Sequence, residues 1–181
     1  MSIAEHLDTA VLARTWVADS VHSRVSFAVR HMGVAEFHGS FRGIKATLDP
    51  DGLRGSVAIA DVGLDDDPSQ EAHVLSPDFF DAERFPEATF VSTSVERTGD
   101  DLAVEGELTV KGVVRPVALT GTIAGPKADP YGNERIGLVL TTTVDRRDFG
   151  VDWNAPLPGG GDAIDWQVAL TANIQLVRKD A

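Results

Sequence analysis

Five histidines, His6, His22, His31, His38 and His73, are the first residues to weigh for chemistry. None forms the HxxxH pair that puts two imidazoles on one helix face, and the chain has no cysteine. Any metal site would have to be built from histidine and carboxylate alone. Strand alternation places His31 inward and His38 outward, and a histidine on an apolar face is most often a satisfied core residue. The run Gly159-Gly160-Gly161 lacks the strand–turn–helix setting and the following Lys-Ser/Thr of a phosphate loop, and no G-x-S-x-G elbow is present. The acids Asp65-Asp66-Asp67 read as a solvated face. What remains for catalysis is a hydrolase or isomerase built on His22, His31 and a carboxylate in a polar cavity. No metal ligand and no catalytic residue is assigned.

The aromatic residues form a more coherent set. Phe27, Phe37, Phe41, Phe90 and Trp166 fall on inward strand parities, together with Val29, Leu108 and Leu140. Phe79 and Phe80 fall in a segment of a different period. Such a set makes either a packed core or the wall of an apolar ligand cavity.

The elements that must position these side chains are strands. From Ile164 to Val177 the residues Ile164, Trp166, Val168, Leu170, Ala172, Ile174 and Leu176 share one parity, and mostly polar residues share the other. This predicts a long strand with one dry face. Seven further strands are predicted: Trp16 to Met32, Phe37 to Leu48, Gly55 to Leu64, Ala88 to Arg97, Leu102 to Val110, Val113 to Ala124 and Ile136 to Val144. In the first hairpin, matching the apolar faces sets Phe27 opposite Phe41 and His31 opposite Phe37, with a turn of about three residues. A glycine bulge is expected at Gly43, where Ile44, Ala46 and Leu48 take over the apolar parity. Between Ser69 and Pro86 one or two short helices are expected across one end of the sheet, with Ser76 capping a start at Pro77 and Phe79 and Phe80 inside. Ser2 to Ala13 has the pattern of a short amphipathic helix capped by Ser2, with Ile3, Leu7, Val11 and Leu12 on one side. The expected organisation is an N-terminal extension over residues 1–15, packed outside the main body, a barrel over 16–178 and a tail at 179–181. Eight such strands close into an all-β antiparallel barrel, filled by its own side chains or wide enough for one small ligand.

Length and charge bound the rest. The 181 residues suffice for one domain. A formal net charge of −12 opposes phosphate backbones and anionic bilayers, so nucleic acid is not an expected partner. No apolar run approaches the ~20 residues of a membrane span, so stable membrane insertion is not expected. The start carries Glu5 and Asp8 and lacks a basic segment ahead of an apolar block, so a cytoplasmic location is expected.

Four linked stretches carry a resemblance. They are Trp16-Val17-Ala18-Asp19-Ser20-Val21-His22-Ser23 with Val25-Ser26-Phe27-Ala28-Val29-Arg30-His31, His73-Val74-Leu75-Ser76-Pro77-Asp78-Phe79-Phe80-Asp81 with Phe85-Pro86 and Thr89-Phe90, Val104 to Val113, and Asp145-Arg146-Arg147-Asp148-Phe149-Gly150. In this order they resemble the YceI-like family, lipocalin-like polyisoprenoid-binding proteins. The resemblance implies an elongated eight-stranded antiparallel lipocalin-like barrel with a short helical insertion. It implies a tunnel for a polyisoprenoid or quinone-like lipid, no enzymatic activity, no cofactor beyond that ligand, and a homodimer. Here the run Asp65 to Ala72 is more acidic than the family's usual one.

On that reading the tunnel wall includes Phe27, Val29, Phe41, Phe90, Leu108, Leu140 and Trp166, with His31 and Phe37 on the same inward face. Phe79 and Phe80 stopper or gate one end. A polar head would need donors, and His22, Ser23, His31 and Arg146 are the candidates, arginine for its planar fork. The competing reading pairs Asp19, His22 and Arg146 with one another as a tie between barrel ends.

Overall fold

A computed structural model describes residues 10–65 and 67–179 of the chain. The sheet is organised around its last strand, β11 (Ile164–Arg178), whose exposure alternates as its sequence does. One edge of β11 pairs with β10 (Glu134–Asp145) from Asp145↔Gln167 to Arg135↔Val177. The other edge is shared by two short strands from the start of the chain. It takes β2 (Arg24–His31) from Ile164↔His31 to Asn173↔Arg24, and β1 (Trp16–Ala18) from Ala18↔Leu176 to Trp16↔Arg178. The first and last strands therefore pair and close the sheet.

Each of the first three predicted strands is broken in two. The first gives β1 and β2, the second β3 (Ala35–Phe41) and β4 (Lys45–Asp49), the third β5 (Gly52–Ala58) and β6 (Val62–Leu64). The others run unbroken as β7 (Glu87–Thr98), β8 (Asp101–Val110), β9 (Val113–Ala128), β10 and β11. The ring β1-β4-β5-β7-β8-β9-β10-β11, returning to β1, is a closed eight-stranded antiparallel barrel. At its other end β2, β3 and β6 continue the first three staves, with β2 on β11 and β3, and β3 on β6.

Several expectations need correction. The first hairpin pairs Val25 with Phe41, Phe27 with Gly39 and Val29 with Phe37, two residues away from the predicted register. Parity survives because the shift is even, and the three-residue turn Met32-Gly33-Val34 is as expected. At Gly43 there is a break between β3 and β4, not a bulge within one strand. Gly43 has φ +68°, and the chain turns there so that Ile44, Ala46 and Leu48 enter the core. The third strand is likewise interrupted, by a 3-10 turn at Ile59–Asp61.

The insertion also differs from expectation. A 3-10 turn at Pro68–Gln70, capped by Asp67, leads into a short helix α1 (Glu71–Leu75). Ser76 ends α1 instead of starting a helix. Its backbone N–H and its hydroxyl both donate to the His73 carbonyl, at 3.1 and 2.6 Å. Phe79 and Phe80 lie in the linked turns that follow, where the Phe80 N–H donates to Val74 O and the Asp81 N–H to Ser76 O.

The end at which β1 pairs is filled. Trp16, Leu48, Val104, Ile123, Leu138 and Leu176 are each no more than 1% exposed. Truncating a leucine so enclosed costs about 2–5 kcal/mol. Residues 10–12 are helical, and Val11 is buried in this core with its carbonyl accepting from Trp16 Nε1 at 2.8 Å. Val11 is thus part of the packed end. The expected cap Ser2, with Ile3 and Leu7, and Asp66 of the acidic run, lie outside the described residues.

Candidate ligand-binding cavity

The opposite end is hollow. A cavity of about 730 Å³ runs from the β2–β3 hairpin and the α1 insertion down to Ala46, Leu53, Leu119, Leu140 and Ile174. Strand alternation builds its wall. Along β11 the residues Ile164, Val168, Leu170, Ala172 and Ile174 face it. Phe27, Val29, Phe37, Phe41, Phe90, Leu108 and Leu140, predicted inward from parity, all line it. The sequence left open whether the barrel is filled or hollow, and it is packed at one end and hollow at the other.

Two glycines make room for the largest wall side chains. A Cβ on Gly39 would sit 2.3 Å from Phe27 Cζ, and one on Gly106 would sit 2.5 Å from Phe90 Cζ. Each phenyl ring therefore lies flat against bare backbone of the next strand, so the aromatic lines the cavity without blocking it. Phe27 also packs on Phe41 at 5.9 Å between centroids, and Phe41 meets Phe80 edge-on at 5.8 Å.

Phe79 and Phe80 both line the cavity, and neither is in a helix. Phe80 packs inward on Phe41. Phe79 belongs to a second cluster at the mouth with His73 at 5.0 Å and Trp153 at 5.4 Å, and His73 meets Trp153 at 4.7 Å. The His73 Nε2 and Asp78 Oδ2 are 3.0 Å apart, which fixes the imidazole edge. All three rings of this cluster line the cavity. Lys111, at the β8–β9 turn, donates to Pro77 O at 2.9 Å and Gly150 O at 3.2 Å, tying three segments of the mouth together. Trp153 sits in an irregular loop, where no periodicity marks a residue as inward, so the sequence did not single it out.

Four predicted residues fall elsewhere or act otherwise. One of them, Ser23, is spent on the backbone of β11, its hydroxyl donating to Gln175 O at 3.2 Å and accepting from Gln175 N–H at 3.0 Å. Trp166 has the inward parity but does not line the cavity. Residues 165–167 of β11 face only Arg30 of β2, and in this irregularity Trp166 is taken up by the guanidinium groups of Arg146, 4.3 Å over its ring, and Arg147, 4.8 Å. His22 is not in the cavity. It is mostly exposed and its Nδ1 lies 2.9 Å from Asp19 Oδ2, at the closed end. Arg146 lines the cavity at the foot of the 146–163 loop, yet its donors are occupied. Nε donates to Asp165 O at 2.9 Å, Nη1 to Val151 O and Trp153 O at 2.8 Å each, and Nη2 to Ile164 O at 3.2 Å. It is 6% exposed, and burial pulls its pKa below the usual arginine value while it stays charged at any ordinary pH. Its arrangement is that of a loop anchor. His31 lines the mouth and is exposed.

The tie at the closed end uses a different arginine from the one expected. Arg135 donates to Asp19 Oδ2 at 2.7 Å, Asp129 Oδ2 at 2.8 Å and Gln175 Oε1 at 2.9 Å. The Arg135 hydrogen bond is the first cause that holds both carboxyls well below the usual aspartate range, with His22 adding to it at Asp19 and the 131–133 turn at Asp129. Among the described residues no three histidine, aspartate or glutamate side chains converge as a metal site, and His22 and His31 stand at opposite ends of the barrel.

This architecture and the order of the motifs match a known family over most of the chain. The model of the YceI-like domain aligns with residues 16–176. The chain belongs to the YceI-like family. A YceI-like relative from Pseudomonas putida, called a UPF0312 protein, is 36% identical over 137 residues, covering 72% of this chain and 71% of that one. The YceI protein of Escherichia coli is 32% identical over 136 residues with the same coverage. Among solved structures, a polyisoprenoid binding domain from Saccharophagus degradans superposes with a TM-score of 0.71 at 12% identity, covering 92% of this chain and 99% of that one. BcnA of Burkholderia cenocepacia gives 0.66 at 22% identity, covering 87% and 98%. At these identities the structures establish the shared YceI-like fold. No described helix is long and apolar enough to cross a membrane.

Proposed function

We propose that this protein binds one long isoprenoid-type lipid chain inside the open half of its barrel and acts as a carrier or sequestering protein for it. The observation that carries this reading is the cavity itself. At about 730 Å³ it is in the range of small-molecule sites, and its wall is aliphatic and aromatic along almost its whole depth. A wall of this kind suits a ligand that is extended, branched and without hydrogen-bonding groups. Each five-carbon unit transferred into it would contribute on the order of 3–4 kcal/mol before binding costs. A quinone or a prenyl phosphate would place its head at the mouth, near His31, Gln70 and His73, which line that end. The polyisoprenoid named for the Saccharophagus degradans domain of the same fold supports the choice of chain chemistry.

Lipids extracted from natively purified protein and identified by mass spectrometry test the reading. A prenyl lipid in stoichiometric amount is the expected result. Protein that purifies empty and takes up no prenyl alcohol from detergent would overturn it.

A further inference from the structure

The rim of the cavity mouth is divided in character. Two turns stand side by side on it, the tip of the β2–β3 hairpin at 32–35 and the end of a smaller hairpin at 156–161. The Met32 N–H donates to Ala163 O at 2.6 Å, and Pro156 pairs with Asp162 in an isolated antiparallel bridge, so the two turns form one ridge. The residues beside them, His31, Phe37, Ala155 and Ala163, line the cavity, and the turns themselves lie outside it. Residues 32–35 are methionine, glycine, valine and alanine, and residues 156–161 are proline, leucine, proline and three glycines. Charged residues make up 24% of the chain, yet the ridge has none, nor any hydrogen-bonding side chain. Met32 is 49% exposed and Val34 80%. Backbone groups of both turns have partners. Arg30 Nη2 donates to Gly33 O at 2.9 Å, the Val34 N–H to His31 O at 3.2 Å, the Leu157 N–H to Gly161 O at 2.9 Å and the Gly160 N–H to Leu157 O at 3.0 Å. Such turns can leave water without stranding these polar groups. The insertion side of the mouth is the opposite in character, with Asp67 in the cavity wall and Asp65, Glu71 and Asp78 on the same segment.

We propose that the ridge is a docking surface for a neutral, zwitterionic bilayer, where the chain passes between membrane and barrel without crossing water. This rests on the function proposed above. Two arguments choose the occupant. An isoprenoid-type chain partitions into bilayers, and an exposed apolar patch adjoining the mouth of its cavity is placed to meet the phase that holds it. The charges then choose the bilayer. The formal net charge of −12 and the acidic insertion side repel an anionic leaflet, and Asp162 at the border of the ridge adds to this. Arg30 faces Glu36 across the hairpin, so the base of the ridge carries no excess positive charge to reverse it. The same division sets the orientation, with the ridge at the headgroups and the insertion side toward water. The contact is peripheral, made by two turns.

The test uses the full-length protein and phosphatidylcholine vesicles carrying a fluorescent prenyl alcohol, with uptake followed by energy transfer from tryptophan. The rate should rise in proportion to vesicle concentration, because contact and not escape of the alcohol into water limits it. The double variant Met32→Asp with Val34→Asp should slow uptake at least tenfold while its affinity for the same alcohol in detergent stays within twofold. Both sites are exposed, and aspartate tolerates the left-handed backbone of Met32, φ +55°. Val21→Asp, at a site 84% exposed at the closed end, should change neither quantity. Docking is also read without any cargo. The chain has no cysteine, so Val34→Cys carries a single environment-sensitive label. Its emission should shift to the blue with phosphatidylcholine vesicles, and less when a third of the lipid is phosphatidylglycerol. Parental uptake by the double aspartate variant, or a label that does not respond to phosphatidylcholine, would overturn the proposal. So would a stronger response to the anionic vesicles. A blue shift that grows with protein concentration and needs no vesicles would assign the ridge to a second copy of the chain and overturn it too. A parent that docks by the label yet takes up no prenyl alcohol from vesicles or detergent would instead overturn the lipid-binding function.

Discussion

Replacing Arg146 by glutamine separates the two roles open to this residue. The guanidinium donates to four backbone carbonyls, those of Val151, Trp153, Ile164 and Asp165, and covers the Trp166 ring at 4.3 Å. Glutamine is shorter and reaches at most two of these acceptors. At about 1 kcal/mol for each carbonyl left without a partner, two or three orphaned carbonyls cost about 2–3 kcal/mol. The lost cation–π contact adds about 1 kcal/mol. The total, about 3–4 kcal/mol, corresponds to a fall in Tm of roughly 6–16 °C for a domain of this size. The assay pairs thermal unfolding with binding of a prenyl phosphate and the matching prenyl alcohol. An anchor gives a lower Tm and equal losses, if any, for the two ligands, because the change propagates through the position of Trp153 and not through a charge on the head. An unchanged Tm together with a selective loss of the phosphate would refute the anchoring account.

Phe27→Asp places a carboxylate on the apolar wall and should abolish retention of a prenyl chain, measured as lipid per protein after gel filtration, in a protein whose far-ultraviolet spectrum is unchanged; the parent's lipid content in the variant would defeat the assignment of the wall. Phe79→Ala and Trp153→Ala open the aromatic cluster at the mouth and should speed both uptake and release of a fluorescent prenyl probe in stopped flow, with the core Tm nearly preserved, whereas unchanged rates with a lowered Tm would mark the cluster as a plug. Asp19 and Asp129 have folded pKa values below the ~3.9 of the unfolded chain, so the stabilisation from their pairing with Arg135 is present above about pH 4 and is lost as pH falls below it. Arg135→Gln should therefore lower Tm at neutral pH and flatten its decline between about pH 4 and pH 2; a decline as steep as the parent's would show that other carboxyls govern acid unfolding.

Much of this protein is determined by alternation along the chain. A period of two needs only local sequence, and it predicts the eight staves, the pairing of the first with the last, and a shared inward face for Phe27, Phe41, Phe90, Leu108 and Leu140. An even shift in register, such as the two-residue offset between β2 and β3, leaves that face intact. What parity cannot carry is distance along the barrel axis. Leu138 and Leu140 are indistinguishable in the sequence, yet one is packed in the filled end and the other lines the cavity, because that depends on what seven other strands bring to the same level. Trp166 keeps the right parity and loses the cavity through an irregularity opposite Arg30 and two guanidinium groups supplied by the 146–147 turn. Trp153 gains the cavity from an irregular loop held by Arg146. Arg135, and not Arg146, joins Asp19, since the antiparallel pairing of β10 with β11 and of β11 with β1 sets those two residues side by side across 116 positions of sequence. Local alternation decides which way a side chain points. Closure of the barrel decides what it meets there, and so whether the interior at that level is core or cavity.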